Sequence, residues 1–337
     1  MKIQLFAMLT IAVLFTSCKK DKADDTPVAQ TNVYVSGIQV TGGMNQGVVW
    51  KNGIATTNAL NTGRHYYAHS IAVSGTDVYT TGFESTGNGG GRAHVWKNGA
   101  LQYSLGDASS IGNGITVAGN NIYVAGGVFE TQTLGRSVVW KNDDVAGYTI
   151  LATASTGIAA KNVAVSGTDV YVCGQDINAN GVIAKIWKNG VAMTLNDAQN
   201  CYINDIAIDG TDVYAIGDTF SGSIRVWKNG IATDISSPNS LYCYAIVISN
   251  NDIYIAGREV AGGKGTAKYW KNGVAVTLGD GIRNSYATGI AVKGTDIYAC
   301  GAEEGTSNTS DYATIWKNGQ RQTIGLQQSR ATDIVVK

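Results

Sequence analysis

Seven tryptophans punctuate this chain: Trp50, Trp96, Trp140, Trp187, Trp227, Trp270 and Trp316. Each is followed by Lys-Asn, and in six of the seven by Gly; "KNDD" at Lys141 is the departure. A unit that recurs at this interval cannot bury its own apolar face and must stack on copies of itself. That requirement limits the chain to a solenoid or a ring of repeats.

Two further motifs share the period. One has the form (Asp/Asn)-(Val/Ile)-Tyr-x-x-Gly and places Tyr34, Tyr79, Tyr123, Tyr171, Tyr214, Tyr254 and Tyr298. The other is an I-A-V-like run, as in Ile71-Ala72-Val73 and Ile290-Ala291-Val292. Beyond the leader, apolar residues come in short β-branched and aromatic runs bounded by Gly, Asn and Asp, which is a β pattern. Each repeat therefore holds four short strands: A (IAV), B (DVYVxG), C (AxxWK) and D (such as Val191 to Leu195). Asn-Gly between C and D is a two-residue hairpin turn, because both residues accept positive φ. Four antiparallel strands in a repeat of about 45 residues make a propeller blade. The chain is thus expected to be an all-β, seven-bladed β-propeller.

The ends specify how the ring closes. The segment "TNVYVSG" from Thr31 is a strand B without its A, and "ATDIVVK" from Ala331 is a strand A without its B. Paired, they complete one blade and leave no open edge. The segments "AKIWKNGVAMTL" (Ala184 to Leu195) and "AKYWKNGVAVTL" (Ala267 to Leu278) resemble bacterial extracellular HAF-type repeats. Those carry A-x-x-W-x-N-G-x-x-x-x-L and then an I-N…V-V-G run. Here Ala replaces Asn in I-A-V and a Tyr is added. The resemblance covers nearly all of the mature chain, but it lies in turn and core residues and implies little about activity.

Ahead of the repeats, residues 1–17 carry one Lys and an apolar core too short to span a membrane comfortably, and read as a secretory signal peptide. The signal ends "FTSC", which resembles a bacterial lipobox, although Phe15 stands where Leu is usual. The resemblance implies lipidation of Cys18. Residues 18–30 would then be the lipidated Cys and a charged tether that cannot bury a core, and residues 31–337 the propeller. Lys19 after the Cys resembles outer-membrane sorting, and the charged run resembles surface-export signals of some Gram-negative lipoproteins. The expected location is the outer membrane, with membrane contact through the anchor alone.

Within the blades most repeated residues have a scaffold reading. Trp on strand C fills the space between blades. The following Lys faces the Asp or Asn that begins strand B, forming a neutralised ladder. Gly at three residues past the Tyr is expected to end strand B by adopting unusual backbone angles. Cys173 and Cys300 read as small buried apolar residues. Cys201 and Cys243 precede strands A of adjacent blades, and an exported setting permits a disulfide between them.

Function is sought where the repeats disagree, on the face of the D–A and B–C loops. Four residues ahead of the first apolar residue of each strand A stand Tyr67, Ile111, Ala159, Tyr202, Tyr242, Tyr286 and Arg330. Two ahead stand His69, Asn113, Lys161, Asn204, Tyr244, Thr288 and Thr332. The second set reads as a polar ring at the channel mouth with tyrosines above it. Tyr67, His69, Tyr202, Asn204, Tyr242, Tyr244, Tyr286 and Arg330 are the candidate ligand-binding residues, suited to a glycan or a protein partner.

Charge is balanced at 25 basic and 25 acidic side chains, which argues against nucleic acid. The three histidines, His65, His69 and His94, all fall in the second blade. With Tyr66 and Tyr67 they leave a polysaccharide lyase-like enzyme as an alternative, and a purely structural scaffold as another. No cofactor, catalytic or metal site is assigned, and a monomer is expected.

Overall fold

The computed structural model describes residues 31–57, 63–85, 90–106, 109–131, 135–143, 147–154, 160–179, 181–305 and 310–337. The expected signal and the Cys18 tether lie outside them. Seven four-stranded antiparallel sheets follow one another as blades. Their innermost strands are Ser329–Val336 (blade 1), Tyr66–Ser74 (2), Ser110–Ala118 (3), Asn162–Ser166 (4), Cys201–Asp209 (5), Ser240–Ser249 (6) and Ser285–Lys293 (7). These strands wall a central channel of about 440 Å³ to which every blade contributes.

Blade 1 closes the ring as the two ends require. Its strand A is the C-terminal Ser329–Val336 and its strand B the N-terminal Val33–Thr41, in register from Val33↔Val336 to Gln39↔Ser329. Asn32 N–H donates to Lys337 O at 2.8 Å and Lys337 N–H to Asn32 O at 2.9 Å. Both ends therefore meet on the face of the tight turns, opposite the loops.

The C–D turns show why Asn-Gly recurs. Asn52, Asn98, Asn189, Asn229, Asn272 and Asn318 have φ of 49–52°, and the glycines after them 81–84°, the left-handed pair of a type I′ hairpin. In blade 3 Asn142 keeps φ at 56° but Asp143 does not follow into that region. There strand C ends at Lys141 and strand D starts only at Thr149. The turn Asn has a second task. Its Oδ1 accepts the N–H of strand B's second residue in all seven blades at 2.8–2.9 Å, from Val33 to Ile297. Its Nδ2 donates to the Asp or Asn just before, as Asn98 does to Asp77 at 2.8 Å.

The lysine ladder forms on this turn face. Lys97, Lys188, Lys228, Lys271 and Lys317 pair with Asp77, Asp169, Asp212, Asp252 and Asp296 at 2.7–2.8 Å. Lys97 and Asn98 hold Asp77 below the usual carboxylate range. Blades 1 and 3 carry Asn32 and Asn121 instead, so Lys51 and Lys141 have no such carboxylate. All seven ammonium groups also sit 5.2–5.7 Å from the centroid of the blade's Tyr ring, a cation–π arrangement.

Trp packing joins the blades. Each tryptophan is 3% exposed or less. Trp50 packs among Tyr298, Cys300, Ala313 and Ile315 of blade 7, and Trp316 among Tyr254, Ala256, Ala267 and Tyr269 of blade 6. Trp140, Trp187, Trp227 and Trp270 repeat the pattern against the preceding blade.

The glycines past Tyr do not do what their sequence position predicts. Strand B runs on through them, as in Asp77–Ser85 around Gly82, and none has positive φ. They make room for a close approach. A Cβ on Gly82 would lie 1.7 Å from Tyr67 O, and one on Gly217, Gly257 or Gly301 1.9–2.1 Å from Tyr202, Tyr242 or Tyr286 O.

Candidate functional site

That close approach marks a β-bulge in the innermost strand, and the bulge explains the polar ring. Pairing of strands A and B slips by one residue at the same place in six blades. The residues skipped are His69, Asn113, Asn204, Tyr244, Thr288 and Thr332. In blade 4, Lys161 immediately precedes the strand. A bulge re-aims a side chain out of the alternation of the strand. Here it turns toward the next blade. His69 Nδ1 meets Gly112 O at 3.0 Å. Asn113 Nδ2 donates to Ala160 O (2.8 Å), Asn204 Nδ2 to Cys243 O (2.8 Å), Thr288 Oγ1 to Ala331 O (3.0 Å) and Thr332 Oγ1 to Ala68 O (3.0 Å). Every acceptor is the carbonyl just before the residue at the equivalent position of the next blade. The ring expected to read a ligand is, at five of its seven positions, a set of latches between blades.

One residue deeper, two carboxylates extend the same stitching. Asp333 Oδ2 accepts Ser70 Oγ (2.7 Å) and Ile71 N–H (3.1 Å) of blade 2. Asp205 Oδ2 accepts Ile246 N–H of blade 6 at 2.8 Å, while Oδ1 takes Ile206 N–H at 2.7 Å and Asn162 Nδ2 of blade 4. Burial pushes Asp205 up to about 7 despite those hydrogen bonds, and raises Asp333 too. A folded value above the unfolded one means the folded state binds more protons between the two. That contribution is complete below the unfolded value of about 4 and is lost as pH rises through 7. Glu259 and Asp280, held down to about 2 by Lys268 and by the Arg283 backbone N–H, lose theirs in acid. The melting temperature is expected to be highest near pH ~5 and to fall toward pH ~8, with most of the fall gone in Asp205→Asn. A flat profile across that range in the native chain would contradict this account.

Above the latches, the tyrosines divide. Tyr67 stacks on Phe83 with centroids 4.6 Å apart, and its hydroxyl accepts Asn45 Nδ2 at 2.9 Å. It lines a cleft of about 530 Å³ with Asn45, Glu304, Asp311 and Arg330. Tyr286 donates its hydroxyl to Asp311 Oδ2 at 3.2 Å. With Tyr244, Thr288, Arg258 and Arg330 it lines a second cleft of about 310 Å³. Arg330 is exposed and common to both. Tyr242 lies beneath the Arg258 guanidinium, 5.0 Å from its ring centroid. Tyr202 is 42% exposed against Phe220, in blade 5, and lines neither cleft. Thus Tyr67, Tyr244, Tyr286 and Arg330 come together on adjoining walls, His69 and Asn204 serve as latches, and Tyr202 stands apart. Arg258 was not singled out in the sequence; its signal is a cation directly after the Gly of blade 6.

The histidines do not converge. His65 Nδ1 accepts Asn45 N–H at 3.0 Å. His94 is 3% exposed, between Ser104 at 3.1 Å and Glu84 at 3.6 Å. His69 keeps its latch, and burial lowers its pKa. Among the described residues no three His, Cys, Asp or Glu side chains gather as metal ligands would. Cys173, Cys201, Cys243 and Cys300 are all free and buried, so Cys201 and Cys243 form no bond. Burial pushes the Cys201 thiol up to about 12, which keeps it unreactive.

No family model and no curated protein matches the chain. Solved structures do. A puromycin-hydrolysing peptidase of Mycobacterium tuberculosis matches with a TM-score of 0.57 at 9% identity, over 86% of this chain and 53% of that one. This chain thus spans about half that peptidase's length. The β-propeller domain of the Trilobed protease from Pyrococcus furiosus matches with a TM-score of 0.52 at 8% identity, over 88% of this chain and 99% of that one. At such identities what is shared is the fold alone. The Pyrococcus domain is described as having an open velcro topology; here the terminal strands pair.

Proposed function

We propose that the chain is a lipid-anchored, non-catalytic binding module of the outer membrane that takes a glycan, ahead of a protein, on its loop face. One observation carries this reading: Tyr67, Tyr244, Tyr286 and Arg330, from four blades, line two clefts that share Arg330. Aromatic planes beside hydrogen-bonding groups suit sugar rings. The separate partners of the three histidines weigh against a lyase. Residues 31–337 hold the complete ring and suffice for the test. Screened against immobilised glycans, they are expected to bind. Tyr286→Ala is expected to weaken that binding about tenfold, as loss of an aromatic contact of about 1.4 kcal/mol would, while Tyr202→Ala leaves it unchanged. Full binding by Tyr286→Ala would place the site elsewhere. Mass spectrometry of the mature N-terminus checks the anchor; an unacylated Cys18 would sink it.

A further inference from the structure

The smaller cleft differs from its neighbour in charge. Blade 6 supplies Tyr244 and Arg258 to it, blade 7 Tyr286 and Thr288, and blade 1 Arg330 and Thr332. Two guanidinium groups line it and no carboxylate does. The ion pairs of this region go elsewhere: Arg283 and Arg321 to Glu303, Lys268 to Glu259. Among the described residues neither Arg258 nor Arg330 joins one. Two acids close by are already engaged. Asp218 accepts Asn204 Nδ2 at 2.9 Å and Cys243 N–H at 2.7 Å, and Asp311 holds the Tyr286 hydroxyl.

Arg258 is the less expected of the two. Its guanidinium is stacked over Tyr242, which fixes its plane. Its Nε–H is buried and has no acceptor among the described residues. A cation kept in place with an unsatisfied donor costs the fold stability, and the cost is relieved when an anion arrives.

The geometry points to an acidic sugar as the ligand: a uronate unit of a glycan, its carboxylate held between Arg258 and Arg330 and its ring against Tyr244 or Tyr286. Guanidinium forks match a planar carboxylate in two parallel hydrogen bonds, and a cleft of about 310 Å³ has room for a short stretch of glycan. The inference rests on the loop-face reading above and adds the charge of the ligand. An acidic peptide offers the same carboxylate but no ring to lie on the tyrosines.

Calorimetric titration of the folded chain with oligogalacturonate, a neutral maltooligosaccharide and polyglutamate, at low and high salt, tests it. Oligogalacturonate is expected to bind at least about tenfold tighter than either, and more weakly as salt screens the charges. Arg258→Gln and Arg330→Gln are each expected to weaken it about tenfold or more, and Arg330→Lys less, since the charge survives but the fork does not. Equal binding of neutral and acidic sugars would overturn the inference. So would full affinity in both Gln variants at an unchanged melting temperature. Equal binding of polyglutamate would leave an anion site that is not a sugar site. Binding of no glycan at all would be a different failure, and would take the loop-face reading with it.

Discussion

Trp316→Ala is expected to lower the stability of the ring by about 3–5 kcal/mol. The side chain is fully buried and sits among Tyr254, Ala256, Ala267 and Tyr269 of the neighbouring blade. Its loss leaves a cavity at the seam of blades 6 and 7, a place where two rigid sheets cannot collapse to fill it. Trp316→Phe is expected to cost much less. The indole Nε1 has no acceptor among the described residues, so phenylalanine gives up volume and no hydrogen bond. Urea midpoints of the two variants decide the matter. A sugar-stacking Trp would be exposed, and its removal would barely move the midpoint.

Gly82→Ala is expected to cost about 3 kcal/mol or more, at the upper end of overpacking. The new methyl would lie 1.7 Å from the Tyr67 carbonyl oxygen, and backbone cannot move aside as a flexible side chain can. Strands A and B of blade 2 must part at the bulge, which carries Tyr67 and His69. The variant should therefore lose the latch to Gly112 as well as stability. Gly119→Ala is the comparison. That glycine has φ of +59° and open space around it, so alanine there pays only for its backbone angle, about 1–2 kcal/mol. If the two variants melt together, the close approach does not matter.

The contrast between these glycines shows what one sequence discloses. Blade number, strand order, ring closure and the buried tryptophans were legible because repetition multiplies a weak signal sevenfold. The lysine–aspartate pairs were legible for the same reason, since antiparallel pairing alone sets them opposite. Bulges are not written that way. They depend on the register of two strands to within one residue, and the constant spacing between the polar residue of strand A and the Gly of strand B, as from His69 to Gly82, does not say which residue the pairing skips. His69, Asn113, Asn204, Thr288 and Thr332 differ from blade to blade, yet each meets a carbonyl of the next blade, so their variety does not by itself require selection by a ligand. Part of the candidate set is gathered in space for a related reason. Tyr67, Tyr286 and Arg330 share one repeat position, and a ring brings equivalent positions of blades 7, 1 and 2 side by side. Tyr202 has the same position, but in blade 5, away from Arg330.

Closure of the ring has a mechanical consequence. A pull on the chain ahead of Asn32 enters through Val33–Thr41, which is hydrogen-bonded along both edges, to Met44–Lys51 and to Ser329–Val336. Force along that strand shears two ladders at once, and every rung shares the load. The C-terminal strand has a ladder on one edge only, and a pull from Lys337 loads half as many. Of the two chain ends, the N-terminal one is therefore the firmer point at which to load the ring.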